Sequence, residues 1–331
     1  KNTKKKAIFQ PKELSYGELK TMVDGVFIAL HGRPGEDGEV QAYLQEMGIP
    51  FNGSQAHSAQ TTINKYETLQ LLKKHGFTVT DQQLVQKEAF LNDEDSALDQ
   101  VKKVLSYPFI GKPIDDGCSS AVKLLHNREQ LRSFLHTMFR EEELLDKHHA
   151  RVLKLKHKEE FPQKQVALLE ALITKGEASH FLEVTTGFLT KYDEAGALSY
   201  EVFEPSETLA SGEILSLEEK FLAGEGQNIT PARFVVGKRS YDHQKISKQV
   251  RRDLQNVAKV LDVTGYARID AFVRIFDDGR AETIVIEVNS LPGMTPATCI
   301  FHQCAINGYK PYEFIDQILE FGFRRQCDVG V

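Results

Sequence analysis

The stretch IEVNSLPGMTPAT (286–298) sets a carboxylate, Glu287, and a carboxamide, Asn289, two residues apart at the end of an apolar run, directly before a Pro-Gly turn. Upstream, YARIDAFVRIF (266–276) carries Arg268 and Asp270 at the same spacing. Side chains of a strand alternate between its two faces, so residues two apart share one. Arg268 and Asp270 then fall together with Phe272 and Arg274. In the following segment Val285, Glu287 and Asn289 take one face and Ile284, Ile286 and Val288 the other. If the two strands pair across the turn DDGR (277–280), one sheet face presents Arg268, Asp270, Glu287 and Asn289 together. Three oxygen donors with two negative charges suit Mg2+, which keeps its remaining positions for water or phosphate oxygens. A planar guanidinium beside them suits a carboxylate or an anionic transition state. An isolated Glu-x-Asn is ordinarily just a solvated strand end, so the rest of the chain has to support the metal reading.

The elements that position these groups are legible in outline. VFIALH (26–31) has the pattern of a buried strand running into the loop GRPGEDG, and EVQAYLQEMG keeps Val40, Tyr43, Leu44 and Met47 at helical spacing. With IPFNGS as a further short strand and turn, this order predicts an α/β unit with its polar loop at the carboxyl end of the strands, where ligands bind. INKYETLQLLKKHGFTV predicts a helix stopped at Gly76, and YPFIGKPIDDGCSSAVKLL a strand, a Gly/Ser loop and a second strand. The charged stretch from Asn127 to Phe161 predicts helices with a solvated face. QVALLEALI (165–173) fits a buried strand or a short helix. HFLEVTTGFLT and LSYEVFEP predict strands joined around DEAG, and SLEEKFLAGEGQNITPARF (216–234) a long loop. ISKQVRRDLQNVAKVLDV places Ile246, Val250, Leu254, Val257 and Leu261 on one helical stripe.

The bulk figures set limits. At 331 residues the chain has room for two or three domains, and 41% hydrophobic with 27% charged residues is a soluble, globular composition. No apolar run is long enough to span a bilayer, and the first residues lack the core of a signal peptide. A net charge of −6 gives no general attraction for nucleic acid. The cysteines Cys118, Cys299, Cys304 and Cys327 form no C-x-x-C pair, which predicts reduced thiols in the cytoplasm and no zinc site. The chain does not begin with Met, so the natural start is expected upstream.

ARID followed by IEVNSLPGMTPAT resembles the metal-binding end of the D-alanine–D-alanine ligases, members of the ATP-grasp superfamily. Such enzymes phosphorylate the carboxylate of one D-alanine with ATP, and the amine of a second then attacks the acyl phosphate, giving the dipeptide of peptidoglycan precursors. The resemblance implies that Asp270 and Glu287 hold one Mg2+ and Glu287 and Asn289 a second, with Mn2+ able to substitute. Arg268, helped by the Gly293 amide, would stabilise the tetrahedral intermediate, and Thr298 stands where the family usually has a Ser that binds the second substrate's carboxylate. LHGRPGEDGEVQAYLQEMGIPFNGS is similar to the family's first-domain loop and helix, which makes His31 and Glu36 substrate-side candidates. Lys65 in NKYETLQLLKKHG and Lys112 in IGKPIDDGCSSAV are implied phosphate contacts, with Gly117, Ser119 and Ser120 as the phosphate loop. Within LLEALITKGE, Glu170 would meet the adenine amino group, Ile173 the hinge and Glu177 the ribose. Lys220 resembles the mobile-loop lysine that meets the γ-phosphate.

The likeness runs over about residues 24–325. It implies an α/β (α+β) ATP-grasp fold: a partial N-terminal α/β domain (1–64), a small central lid subdomain with a charged helical insertion (65–176) and a C-terminal catalytic subdomain (177–331). Implied partners are small amino acids, D-alanine first, and possible homodimerisation, with neither nucleic acid nor membrane. Three departures stand out. The family's Gly-Gly-x-Ser-x-Glu loop has no counterpart before DGVFIALHG, the phosphate loop reads DDGCSSAV with Ala121 for a glycine, and Phe221 replaces the usual Tyr. Two other readings therefore stay open: an ATP-grasp carboxylate–amine ligase for a different acid or amine, and a non-catalytic nucleotide-binding protein.

Overall fold

Two antiparallel sheets carry the groups singled out above. The computed structural model describes residues 13–116, 121–156, 159, 161–209, 228–235, 242–295 and 298–328. In chain order its helices are α1 (Tyr16–Lys20), α2 (Glu39–Met47), α3 (Ala56–Ile63), α4 (Lys65–Lys74), α5 (Lys87–Asn92), α6 (Glu94–Val104), α7 (Arg128–Phe139), α8 (Lys147–Val152), α9 (His243–Val260), α10 (Cys299–Ile306) and α11 (Pro311–Asp328). Its strands are β1 (Gln82–Gln86), β2 (Phe109–Pro113), β3 (Lys123–Leu125), β4 (Val166–Ala171), β5 (His180–Tyr192), β6 (Leu198–Val202), β7 (Ser206–Thr208), β8 (Asn228–Ile229), β9 (Tyr266–Ile275) and β10 (Ala281–Asn289). None of the described helices is long and apolar enough to cross a membrane.

The smaller sheet has the order β1-β4-β2-β3, and α6 and α7 bury Leu98, Val101, Leu131, Phe134 and Met138 against it. QVALLEALI resolves as strand β4 because both its edges are taken, by β1 and by β2. The larger sheet runs β10-β9-β5-β7-β8, with β6 also on β5. The apolar stripe of α9 packs on it as predicted: Ile246, Val250, Leu254, Val257 and Leu261 are all buried with Ile269, Ala271 and Val273 of β9. The hairpin across DDGR forms, and β9 lies between β10 and β5.

The N-terminal segment departs from expectation. VFIALH is not a ladder strand; it makes one parallel bridge, Val26 to Phe51. Its next backbone groups are satisfied by a side chain instead: Ile28 N–H donates to Asn52 Oδ1 at 2.6 Å and Asn52 Nδ2 to the Ile28 carbonyl at 3.2 Å. A carboxamide carries one donor and one acceptor, so it can stand in for a neighbouring peptide. Helix α3, directly after IPFNGS, was not apparent from periodicity; its apolar content is slight and its buried side chains are Ser58, Ala59 and Thr62. Among the contacts that tie this N-terminal part to the rest, two meet at Phe51–Gly53. Gly265 (φ +77°) lies so close to Gly53 that a Cβ there would sit 2.6 Å from the Gly53 Cα. Arg325 of α11 donates to the Gly53 and Phe51 carbonyls at 2.6 and 2.9 Å, its guanidinium lying over the Phe51 ring.

Candidate active site

Pairing of β9 with β10 sets Glu287 opposite Asp270 and Asn289 opposite Arg268, and all four share one face. The alternation that predicted this grouping holds only from Glu287 onward. Between Val285 and Glu287 the register shifts by a bulge at Ile286. Val285 therefore faces the core opposite Ala271 rather than sharing the face of Glu287, and Ile284, opposite Phe272, takes that face. A bulged strand carries an extra residue and bends, which re-aims the side chains beyond it.

Asp270, Glu287 and Asn289 are each less than a tenth exposed. Arg268 grips Asp270 with two parallel bonds, Nε to Oδ1 at 3.0 Å and Nη2 to Oδ2 at 3.1 Å, and Thr185 Oγ1 donates to the same Oδ1 at 2.6 Å. Burial opposes the charge on Arg268, but the nearby carboxylates of Asp270 and Glu287 outweigh it and hold the guanidinium above its ordinary range. Lys65, the first residue of α4, places Nζ 3.3 Å from Glu287 Oε2 and also donates to the Asp116 carbonyl. Its α-helix starts there because the Asn64 side chain caps the Glu67 amide and the Lys65 amide bonds to the Ile114 carbonyl at 2.9 Å.

The donor set suits a hard dication: three oxygen-bearing side chains on one face, two of them carboxylates. One further observation agrees. The Asn289 carboxamide is buried with its Nδ2 donor lacking a hydrogen-bond partner among the described residues, a cost that an acceptor oxygen of a substrate or phosphate, bound while Oδ1 faces the ion, would relieve. The charges of Arg268 and Lys65 already balance those of Asp270 and Glu287, so a metal's charge would have to be matched by something arriving with it.

Lys112 and Glu170 meet on the smaller sheet, Nζ to Oε2 at 2.6 Å, both almost fully buried. Gln82 Nε2 donates to the other carboxylate oxygen at 2.8 Å, and Gln70 donates to Gln82 Oε1 at 3.0 Å. The two residues expected separately at phosphate and adenine are thus one ion pair. Ile173 and the exposed Glu177 follow β4 in the connection to β5.

His31 and Glu36 lie beside the end of β10. Glu36, buried, accepts the Gly32 amide at 2.7 Å and the Leu291 amide at 2.9 Å, and His31 Nδ1 lies 2.9 Å from its Oε2. Gly293 and Thr298 adjoin, since a Cβ on Gly293 would sit 3.8 Å from Thr298 Cγ2. Thr298 Oγ1 donates to the Thr295 carbonyl at 2.7 Å. Gly117, Ser119, Ser120, Lys220 and Phe221 lie outside the described residues.

Two residues escaped the sequence reading. Gln303 of α10, fully buried, accepts the Gly187 amide at 2.7 Å and donates to the Thr185 carbonyl and Ser206 Oγ. Gly187 stands opposite Arg268, and any Cβ there would come within 2.8 Å of Gln303 Oε1, so the glycine admits α10 to this face. Cys299, at the first turn of α10, has its thiol pushed up to about 11 by burial, against the pull of Arg268. The one signal was a glutamine inside an apolar run, CIFHQCAI.

The model of the D-ala D-ala ligase N-terminus matches residues 1–54, and that of the D-ala D-ala ligase C-terminus matches 71–145 and 180–320. The first match reaches ahead of residue 24, where the motif likeness begins, while Glu170, Ile173 and Glu177 fall in the unmatched span between the two parts of the second. A D-alanine–D-alanine ligase of Leptospira interrogans is 27% identical over 306 residues, 91% of this chain and 74% of that one. Among solved structures, the VanG D-Ala:D-Ser ligase of Enterococcus faecalis superposes with a TM-score of 0.65 at 20% identity, covering 91% of this chain and 73% of that one. A D-alanine–D-alanine ligase of Bacillus anthracis in complex with ATP does so at 0.63 and 23%, covering 95% and 84%. The two-sheet arrangement is the ATP-grasp fold.

Proposed function

The chain belongs to the D-alanine–D-alanine ligase family of ATP-dependent ligases, and we propose that it joins two molecules of D-alanine through an acyl phosphate, in the cytoplasm, for peptidoglycan precursors. The observation that carries this reading is the single buried face on which Arg268, Asp270, Glu287 and Asn289 converge with Lys65. In the first step a carboxylate oxygen of one D-alanine attacks the γ-phosphorus of ATP, and ADP leaves. In the second, the amine of the other D-alanine attacks the acyl carbon, a tetrahedral oxyanion forms, and phosphate departs as the amide closes.

Lys65, Lys112 and Lys220 are assigned to the phosphates, and Glu170, Ile173 and Glu177 to the adenosine. Asp270, Glu287 and Asn289 are the groups to hold Mg2+, as one or two ions, and a bound ion supplies charge neutralisation of the phosphates. Charge develops on the carbonyl oxygen only as the tetrahedral centre forms, so donors fixed beforehand act on the transition state more than on the substrate. Arg268 is fixed by its two bonds to Asp270, and the Gly293 amide follows the Pro-Gly turn; these are the proposed oxyanion donors. Thr298, next to Gly293, is the proposed contact for the second carboxylate. The division at residues 64 and 176 is proposed for the three parts of the chain.

The test is ADP release from ATP and Mg2+ over a panel of D- and L-amino acids, with the product identified by mass. Release with D-alanine giving its dipeptide is expected. Release only with another acid or amine would replace the substrate and keep the chemistry, and no release with any pair would overturn the ligase reading for this chain.

A further inference from the structure

An ionic network outside the residues assigned so far joins three separate segments. Lys164, just before β4, donates Nζ to Asp115 Oδ1 and to Asp116 Oδ1, each at 2.8 Å. Arg33 reaches the other oxygen of Asp115 with Nη2 at 2.6 Å and Asp37 with Nη1 at 2.9 Å. Asp115 is partly buried; burial pushes its carboxyl up, but Lys164 and Arg33 more than offset this and hold it below the usual range.

What these two cations fix is the short run Ile114–Asp116, and that run builds the start of α4. The Ile114 carbonyl accepts the Lys65 amide at 2.9 Å, and the Asp116 carbonyl accepts Lys65 Nζ. The same ammonium lies 3.3 Å from Glu287. At its other end the network is anchored through Arg33, which follows Gly32; the Gly32 amide donates to Glu36, and Glu36 accepts Leu291, two residues beyond Asn289. Lys65 is thus aimed at the carboxylate face from one side while the loop carrying Arg33 grips the end of β10 from the other. Lys164 lies in the span that the family model leaves unmatched.

We infer that Arg33 and Lys164 are positioning residues, which through Asp115 and Asp116 hold Lys65 against Glu287 and tie the nucleotide side to the substrate-side loop. The kinetic consequence rests on the ligase reading; the positioning itself does not. A lysine shared between a carbonyl and a carboxylate moves when the carbonyl moves, and groups within one polar network act jointly.

The experiment compares Arg33→Gln and Lys164→Gln with Lys164→Arg in the full chain. Hydrogen exchange at the Lys65 amide, whose acceptor is Ile114, should quicken about tenfold in both Gln variants, a size usual for coupled polar contacts, while the Leu69 and Leu72 amides of α4 keep their protection. KM for ATP should rise about tenfold with kcat changed little, and Lys164→Arg should restore both exchange and KM. Unchanged exchange at Lys65 in both Gln variants would overturn the inference. Exchange rising alike along the whole of α4 would overturn it too, by showing a general loss of stability. If the unaltered protein releases no ADP with any amino acid, the ligase reading falls, and the exchange measurement alone decides the positioning.

Discussion

Among the described residues two lysine–glutamate pairs are buried, and they are built differently. Lys112 and Glu170 meet at 2.6 Å, and Gln82 occupies the second carboxylate oxygen. Lys65 and Glu287 stand at 3.3 Å, and Lys65 divides itself between that carboxylate and a backbone carbonyl. Glu287 in turn faces Asp270, which is already held by Arg268 and Thr185. Burial is similar in the two pairs, so burial does not explain the difference. The first pair is closed within one sheet, its second carboxylate oxygen taken by Gln82, whereas the second is open in that its ammonium is shared with a carbonyl of another segment.

The comparison can be broken first at the closed pair. Lys112→Met leaves Glu170 buried without its cation and should cost about 3–5 kcal/mol of stability in urea unfolding, while adding Glu170→Leu should recover most of it. A loss no greater than that of a surface substitution would show the pair to be as open as the other.

Next comes the open side. Arg268→Lys keeps the charge and loses the planar fork, so turnover should fall on the order of 10²-fold, as on removal of one oxyanion donor, with ATP affinity nearly unchanged. ADP release at saturating D-alanine, beside a nucleotide titration, measures both; a collapse of ATP affinity would place Arg268 in the support of the metal ligands instead.

A smaller effect is expected from Lys65→Met. Asp270 keeps its arginine, and the Arg268 guanidinium on the same face still balances part of the Glu287 charge, so unfolding should shift by no more than about 1–2 kcal/mol, less than for Lys112→Met. Equal losses from the two lysines would erase the contrast.

The smallest is electrostatic. Because Asp115 has a depressed pKa in the folded state, its contribution is full above its ordinary value of 3.8 and is lost as the pH falls through the lower folded value. Asp115→Asn should therefore be less stable than the unaltered chain by under about 1 kcal/mol at neutral pH, and urea midpoints of the two should converge on acidification.

Much of the site was legible because it lies on two adjacent strands joined by a short turn. Spacing alone put Arg268 with Asp270 and Glu287 with Asn289, and DDGR brought the pairs together. Three things were beyond that rule. The bulge at Ile286 adds a residue that no composition marks, so Val285 was placed on the wrong face. The pairing of Lys112 with Glu170 depends on β2 and β4 becoming neighbours, which neither segment's own pattern encodes. Glu36 reads as a polar loop residue, and only the fold shows it accepting two backbone amides from different segments. The same holds for VFIALH, whose apolar run is real but whose ladder partner is largely one asparagine side chain.

The bulge has one more implication, for insertions and deletions. Val285 pairs with Ala271 and Glu287 with Asp270, so Ile286 is the single place where β10 spends a residue without crossing to the other face. Loss of the Ile286 codon would leave every remaining side chain of the hairpin on the face it has now, and the chain's inside–outside pattern would survive intact. The local bend would not survive, and with it would go the direction in which Glu287 leaves the backbone. At this position a variant can keep a correct pattern and still miss its target, because which side a residue occupies and where it points are set by different residues.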